Sequence, residues 1–296
     1  MNLEYLQSFY TTVKCNSISK AAKELHLTQP GLSIQLQNLE KELSANLLIR
    51  SNKGVELTEE GKVVFDYAST LLSIQGNIER DLKNLKQERP KLIIGSCKSV
   101  GEYALPCSVY TFKKLHEEVD INMEVNNSSE VIEKLRNHTI NIGIIQYDPA
   151  INDIKTDKII SDELFLVGNC IGTPNEITIN ELKDIPLILR EKDSGTRYLI
   201  EETLNEKGIA IDDLNILYDL NSPEAIKSSI LSGKGYSFLP KLTIQQELKG
   251  CCIQTVKVND LIIPFNYYIA SREKYKFNEY EKLFVDFIIS SKRGFC

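Results

Sequence analysis

The stretch from Thr28 to Gln37 carries side chains that could read the edges of DNA base pairs. On a helix beginning here, at 100° per residue, the leucines fall on one face and small polar groups fall on the opposite face. Gln and Ser side chains can pair with bases in the major groove, and an apolar group can meet a thymine methyl. A merely solvated face is the alternative, but the apolar Ile34 in its middle favours a partner. The residues predicted to contact DNA are Thr28, Gln29, Pro30, Ser33, Ile34 and Gln37, with Arg50 and Lys53 on phosphates.

Two further stretches, residues 95–99 and 190–197, contain Ser and Gly and each lead into a predicted helix. The free N–H groups and the dipole at a helix N-terminus favour an anion. Hydroxyls in the second stretch could donate to such a ligand, and its arginines could hold a carboxylate or oxyanion. Each stretch alone is equally typical of an ordinary helix cap. The groups concerned in the second stretch are Ser194, Thr196, Arg190 and Arg197.

Apolar periodicity predicts the elements that position these groups. Three short helices fill residues 3–43, with Ser17 and Thr28 as N-caps of the second and third, which is the helix-turn-helix pattern. Apolar runs on both sides of residues 51–54 predict a small hairpin, or wing. A long helix before Pro90 then has a coiled-coil seam, which favours a dimerisation arm over a core helix. The seam consists of Val64, Ala68, Leu71, Gln75, Ile78, Leu82 and Leu85.

From residue 91 onward, short apolar runs alternate with helix-like stretches. This alternation predicts an α/β domain with parallel sheets, and its length suits two lobes. The predicted strands are residues 92–94, 121–125, 140–145, 164–167, 186–189, 215–220, 236–239 and 264–270.

The distribution of charge along the 296 residues says more than the net charge of −6. Residues 1–90 carry eleven basic and eleven acidic groups, so the whole acidic excess lies in the remainder. Nucleic-acid binders are commonly basic, and the acidic part is therefore not expected to touch phosphate. We find no apolar run of membrane-spanning length and no signal-peptide pattern, and we expect a cytoplasmic protein without a membrane partner.

The cysteine pattern argues against both a disulfide framework and a metal site. The number is odd, no CxxC occurs, and the three histidines lie apart from the cysteines. In a cytoplasmic protein we expect seven reduced thiols, no metal and no cofactor. The cysteines are Cys15, Cys97, Cys107, Cys170, Cys251, Cys252 and Cys296.

Residues 1–60 resemble the winged helix-turn-helix of LysR-type transcriptional regulators, and the resemblance extends over the whole chain. It implies a module that binds promoter DNA, a linker helix that dimerises, and a two-lobed effector domain similar to periplasmic binding proteins. A homodimer or homotetramer and contact with RNA polymerase are also implied. The matching positions are Phe9, residues 16–22, Leu25, residues 28–33, Leu39–Glu40, Leu43, Leu47, Arg50, Leu57–Thr58 and Gly61.

The resemblance also implies domain boundaries. The fold is α/β with a helix-rich N-terminal part, namely a DNA-binding domain over residues 1–58 and a linker helix over 59–89. The effector domain covers the remainder from residue 90 to 296. Its lobe I consists of residues 90–161 and 268–296, and its lobe II of residues 162–267.

The resemblance further places an effector pocket between the two lobes. Cys97 and Ser99 occupy pocket-facing positions by resemblance, and Gln146 follows a strand that lines the same pocket. The facing turns at residues 96–99 and 194–197 would together bind a small anionic metabolite. The 190–197 stretch most resembles family members tied to cysteine, sulfur or selenium metabolism. The predicted effector-binding residues are Cys97, Ser99, Gln146, Ser194, Thr196 and Arg197.

One departure from the family pattern bears on DNA readout, and three other functions compete. Ile34 stands where the family often has a basic residue, so we expect a T/A-directed readout. An enzyme is disfavoured because no Walker A, G-x-S-x-G, HExxH or zinc-deaminase motif occurs, and no base is placed beside Cys97. A thiol switch would need two cysteines able to meet, and the vicinal pair at 251–252 would be strained. A carrier without DNA is contradicted by residues 1–60.

Overall fold

The computed structural model describes residues 1–51, 54–85, 89–291 and 293–295. It separates into two compact units, one N-terminal unit that ends with the long helix and includes residues 137–139, and one formed by the rest of the chain. No helix of the described residues is long and apolar enough to cross a membrane.

The N-terminal unit is the predicted winged helix-turn-helix followed by the predicted long helix. The Ser17 hydroxyl accepts from the backbone N–H of Lys20 at 3.4 Å, and the Thr28 hydroxyl accepts from that of Gly31 at 3.2 Å. Both predicted N-caps are therefore confirmed. The elements are α1 (Leu3–Cys15), α2 (Ile18–Glu24), α3 (Gln29–Leu43), β1 (Leu48–Ser51), β2 (Gly54–Leu57) and α4 (Glu59–Leu85).

The core of this unit is built from the inner faces predicted for its helices. Leu32, Leu36 and Leu39 of α3 are almost completely buried and pack with Leu6 and Phe9 of α1. Burial of this apolar surface fixes α3 with its polar face outward.

The two halves of the predicted seam on α4 differ in burial. Ala68 is fully buried, and Val64 and Leu71 pack against the helix-turn-helix core. Ile78 and Leu82 are more than half exposed. The interpretation of the whole seam as a dimerisation arm therefore needs correction, because its first half already belongs to the core of its own unit.

The second unit alternates strands and helices, as the sequence predicts. Its elements are β3 (Lys91–Cys97), α5 (Lys98–Tyr103), α6 (Leu105–Leu115), β4 (Asp120–Asn126), α7 (Ser128–Arg136), β5 (Ile142–Ile145), β6 (Ile154–Asn169), β7 (Glu176–Ile177), β8 (Leu187–Arg190), α8 (Gly195–Glu206), β9 (Ile216–Leu220), α9 (Pro223–Leu231), β10 (Ser237–Pro240), α10 (Lys241–Lys249), β11 (Ile253–Val258), β12 (Ile263–Arg272) and α11 (Glu279–Ile289).

The sheets are mixed, which corrects the expectation of parallel sheets. The main sheet has the order β4-β3-β5-β12-β6-β11-β7, with β10 also paired to β6, and β8 pairs with β9 separately. β3 is parallel to both β4 and β5, and β8 is parallel to β9. β12 is antiparallel to β5 and β6, and β10 and β11 are antiparallel to β6. The polar first half of β6 and all of β11 were missed in the sequence.

The two long strands, β6 and β12, run through the whole unit. Residues 154–158 of β6 pair with residues 268–272 of β12, whose other edge pairs with β5. Residues 164–169 of β6 instead carry β10 and β11. The register of the β6–β12 ladder shifts between Tyr267 and Tyr268. This irregularity lies where the sequence predicts the boundary between lobe I and lobe II, and we keep those names for the residue ranges given above.

Candidate functional sites

The outward face of α3 presents the side chains predicted to read DNA. Thr28, Gln29, Pro30 and Gln37 are exposed, and Ser33 is half-buried. Ile34 is 56% exposed, although it is the apolar centre of this face. The leucines of this helix are buried, whereas Ile34 leaves apolar surface in contact with water. A binding partner could cover that surface.

The wing is tied to the helix-turn-helix by Asn16, a residue that sequence reasoning did not single out by itself. The Asn16 side-chain oxygen accepts from the backbone N–H of Val55 at 2.9 Å. A Cβ on Gly54, whose φ is +134°, would lie 2.6 Å from that same oxygen. The glycine thus permits the contact that sets where the hairpin sits. Arg50 lies on β1 of this hairpin, and the predicted phosphate contact Lys53 lies outside the described residues.

In the second unit, the side chain of Gln146 forms hydrogen bonds with one residue of each lobe. It directly follows β5, and its side-chain oxygen accepts from the Thr196 hydroxyl at 3.1 Å and the Ser99 hydroxyl at 3.5 Å. Its backbone N–H donates to the Ser128 hydroxyl at 3.2 Å. All four side chains are almost completely buried. Ser99, Ser128 and Thr196 lie in the first turns of α5, α7 and α8, so three helix N-termini converge on one glutamine.

Close approach of α8 to this glutamine depends on Gly195. A Cβ at that position would lie 2.8 Å from the Gln146 Cβ and 2.9 Å from the Ser128 hydroxyl. Both distances are too short for real atoms, so any side chain would push lobe II away from lobe I.

Two buried donors in this cluster make no hydrogen bond of good geometry among the described residues, although the Ser99 hydroxyl lies close enough to Tyr267 to offset slightly the rise that burial causes in its pKa. They are the side-chain nitrogen of Gln146 and the hydroxyl of Tyr267 on β12. Buried polar groups without a partner are costly, and such groups commonly await a ligand or water. In the sequence Tyr267 belongs to an apolar strand pattern, so nothing there indicates that its hydroxyl is buried in this cluster.

The Cys97 side chain lies beside Ser99, with 3.7 Å between sulfur and hydroxyl oxygen. Burial raises the pKa of the Cys97 thiol, and the Ser99 hydroxyl and the charge of Arg190 only partly offset this. Burial likewise raises the pKa of Tyr267 far above its usual value. The cysteine is therefore a neutral thiol, which suits a pocket wall better than a nucleophile.

Ser194 and Arg197, both predicted to bind the effector, have partners within lobe II. The Ser194 hydroxyl accepts from the backbone N–H of Arg197 at 3.1 Å, so it caps α8. Arg197 pairs with Glu201 at 2.5 Å and with Asp219 at 2.9 Å, both in lobe II. Among the described residues, the hydrogen-bond and ion-pair partners of the Arg197 guanidinium all lie in lobe II.

The described residues contain no group of three His, Cys, Asp or Glu side chains able to hold a metal ion. One cysteine expectation was wrong, since Cys107 on α6 is disulfide-bonded. That expectation rested on compartment and spacing, which carry no information on which cysteines meet in space. The described free cysteines are Cys15, Cys97, Cys170, Cys251 and Cys252.

A winged helix-turn-helix joined to an α/β domain with a buried polar cluster is the arrangement of a DNA-binding regulator with an effector-binding domain. Comparison with known families agrees. Residues 3–62 match the bacterial regulatory helix-turn-helix protein, lysR family, and residues 85–292 match the LysR substrate binding domain. The chain belongs to the LysR family and is a transcriptional regulator, not an enzyme.

Two similar proteins bear names of transcriptional regulators, and the match covers most of the length of each. The chain is 28% identical to a probable RuBisCO transcriptional regulator of Phaeodactylum tricornutum, covering 94% of each chain. It is 26% identical to the HTH-type transcriptional regulator CysL of Bacillus subtilis, covering 88% of this chain and 87% of the relative. Full-length CbnR, solved in complex with its target DNA, has a similar fold with a TM-score of 0.70 at 19% identity, covering 97% of this chain and 99% of CbnR.

Proposed function

We propose that this regulator binds promoter DNA through α3 and the wing, and that a small anionic metabolite held between lobe I and lobe II controls it. The observation that carries the first half is the exposed Ile34 at the centre of a polar helix face. The observation that carries the second half is the pair of unsatisfied donors at Gln146 and Tyr267. The solved complex of CbnR with its target DNA supports the first half by likeness of fold.

In this proposal, α3 lies in the major groove. Gln29, Ser33 and Gln37 pair with base edges, and Ile34 covers a thymine methyl. Thr28 caps α3 and Pro30 lies in its first turn, and together they place the helix N-terminus beside the DNA backbone. Arg50 and Lys53 neutralise phosphates from the wing.

The effector lies against Gln146. Ser99 and Thr196, which now satisfy the glutamine oxygen, would exchange that contact for the ligand, and Cys97 forms the neighbouring wall. Ser194 contributes by capping α8, and Arg197 contributes by fixing α8 to lobe II. A ligand that touches both lobes favours one lobe arrangement, and this bias is the signal.

The proposed assembly is a homodimer, or a homotetramer built from two dimers, acting in the cytoplasm without a cofactor and in contact with RNA polymerase. The domain division is the one predicted from the sequence, at 58/59 and 89/90. The exposed Ile78 and Leu82 on α4 support pairing of linker helices, since they form an apolar stripe without cover in one chain.

A gel shift with the DNA upstream of the gene that encodes this chain tests DNA binding. Binding should weaken steeply with salt. Gln29→Ala and Ser33→Ala should relax discrimination between related sites, because they remove base contacts. Lys53→Ala should weaken binding to all sites equally. Absence of a shift at every promoter tested would refute the proposal.

The linker provides a second test with a built-in control. Leu82→Asp should weaken dimerisation strongly in sedimentation, since it places a charge in the proposed seam. Leu71→Asp should instead lower the melting temperature of the helix-turn-helix, because Leu71 packs on its core. An unchanged dimer in Leu82→Asp would place the interface elsewhere.

A further inference from the structure

The end of β8 holds a buried arginine whose partner is the next residue in the chain. Arg190 Nε lies 2.8 Å from one carboxylate oxygen of Glu191, and Arg190 Nη2 lies 2.9 Å from the other. This is the two-point geometry with which a guanidinium binds a free carboxylate. The Arg190 side chain is 4% exposed, whereas that of Glu191 is 22% exposed.

Arg190 lies near enough to the cluster around Gln146 for its charge to act on two groups there. The charge of Arg190 acts on the pKa of Cys97 in lobe I and on the pKa of Tyr267 in β12. Both groups belong to the cluster around Ser99 and Gln146. Arg197 is instead held by Glu201 and Asp219 within lobe II. Arg190 is therefore a buried cation whose charge reaches the cluster around Gln146.

Glu191 also touches the opposite lobe. The Lys98 ammonium of lobe I lies 3.6 Å from the same carboxylate, and it donates to the backbone oxygen of Asn221 in lobe II. Burial alone would raise the pKa of Glu191, but its bonds to Arg190 and the nearby charges lower it overall, so the carboxylate is ionised. A single anionic side chain thus neutralises Arg190 and links the lobes.

We infer that the Glu191 carboxylate is a built-in substitute for a carboxylate of the effector. This inference rests on the proposed function and names the ligand class of the same cleft. The effector carboxylate displaces Glu191 from Arg190, which stays neutralised throughout. Acceptor groups on the rest of the ligand then take the free donors of Gln146 and Tyr267. Glu191 is more exposed than Arg190, so its carboxylate regains hydration when it is displaced.

The test uses the full chain with sodium acetate as the probe and calorimetric or thermal-shift titration as the readout. Glu191→Gln removes the competing charge while keeping the side-chain shape, and Glu191→Ala removes the competitor altogether. Either variant should bind acetate roughly five- to fiftyfold more tightly than the parent, as expected for loss of an internal charge competitor. Glu201→Gln is the matched control, since it removes a carboxylate from the equally buried Arg197, and should leave acetate affinity unchanged.

Two further arms decide the chemistry. Adding Arg190→Gln to Glu191→Gln should abolish the gain, and sodium sulfate should gain less than acetate. Equal acetate affinity in the parent and both Glu191 variants, or a gain that survives loss of Arg190, overturns the inference, as does a larger gain for sulfate. Gel shifts on the same samples keep the two proposals apart. If the parent chain shows no DNA binding, the proposed function is refuted, whatever the acetate result.

Discussion

The outer face of α3 and the cluster around Gln146 both consist of small polar side chains near helix N-termini, yet they are opposite in state. On α3, Gln29, Gln37 and Ile34 are exposed to water. Around Gln146 the polar groups are buried and bond mainly to one another. In the proposed function, the first surface offers its groups to DNA in advance, whereas the cluster holds its groups paired until a ligand replaces a partner.

This difference determines what substitutions do. On α3 a change at an outward position should alter binding without altering stability. In the cleft a change should alter both, because the same atoms hold the lobes together.

The largest expected effect separates the two faces of α3. Leu36→Ala removes a fully buried side chain and should cost about 2–5 kcal/mol of unfolding free energy. Ile34→Ala, two residues away, should change stability by no more than about 0.5 kcal/mol but weaken DNA binding at T-containing sites. Thermal melting and gel shifts on both variants provide the measurement. If Ile34→Ala binds DNA normally, Ile34 is an ordinary solvated residue.

A smaller effect is expected from closing the approach of α8 to Gln146. Gly195→Ala should cost about 1–3 kcal/mol, since its Cβ would clash with Gln146 and Ser128. It should also blunt the effector response in a promoter assay. Gly76→Ala is the control, because a Cβ there meets nothing and should stabilise α4 by about 0.5–1 kcal/mol. Normal stability of Gly195→Ala would show that the lobes do not meet at this glycine.

The smallest effect concerns the arginine that sequence reasoning assigned to the ligand. Arg197→Gln leaves Glu201 and Asp219 without their cation and should cost about 1–2 kcal/mol, a low value because both carboxylates are more than a third exposed. Effector response should persist in this variant. A promoter assay showing its loss would return Arg197 to the ligand site.

Several features were predictable because they depend on local rules. The caps at Ser17 and Thr28, the inner leucines of α3 and the hairpin follow from spacing and turn chemistry. Ser99, Gln146 and Thr196 meet as the family resemblance implied. The partners of Arg190 and Arg197, the buried hydroxyl of Tyr267 and the bonding of Cys107 depend on packing between distant segments, which no local pattern encodes.

The two long strands have a mechanical consequence. β6 and β12 are the paired strands shared by both lobes, and their ladder is irregular between Tyr267 and Tyr268. An irregularity of this kind bends the strand that carries the extra residue and strengthens the local right-handed twist. Because both strands cross the boundary between the lobes at this point, the local twist contributes to the angle between lobe I and lobe II. A substitution that restored a regular ladder here would change that angle without touching any group of the cluster around Gln146.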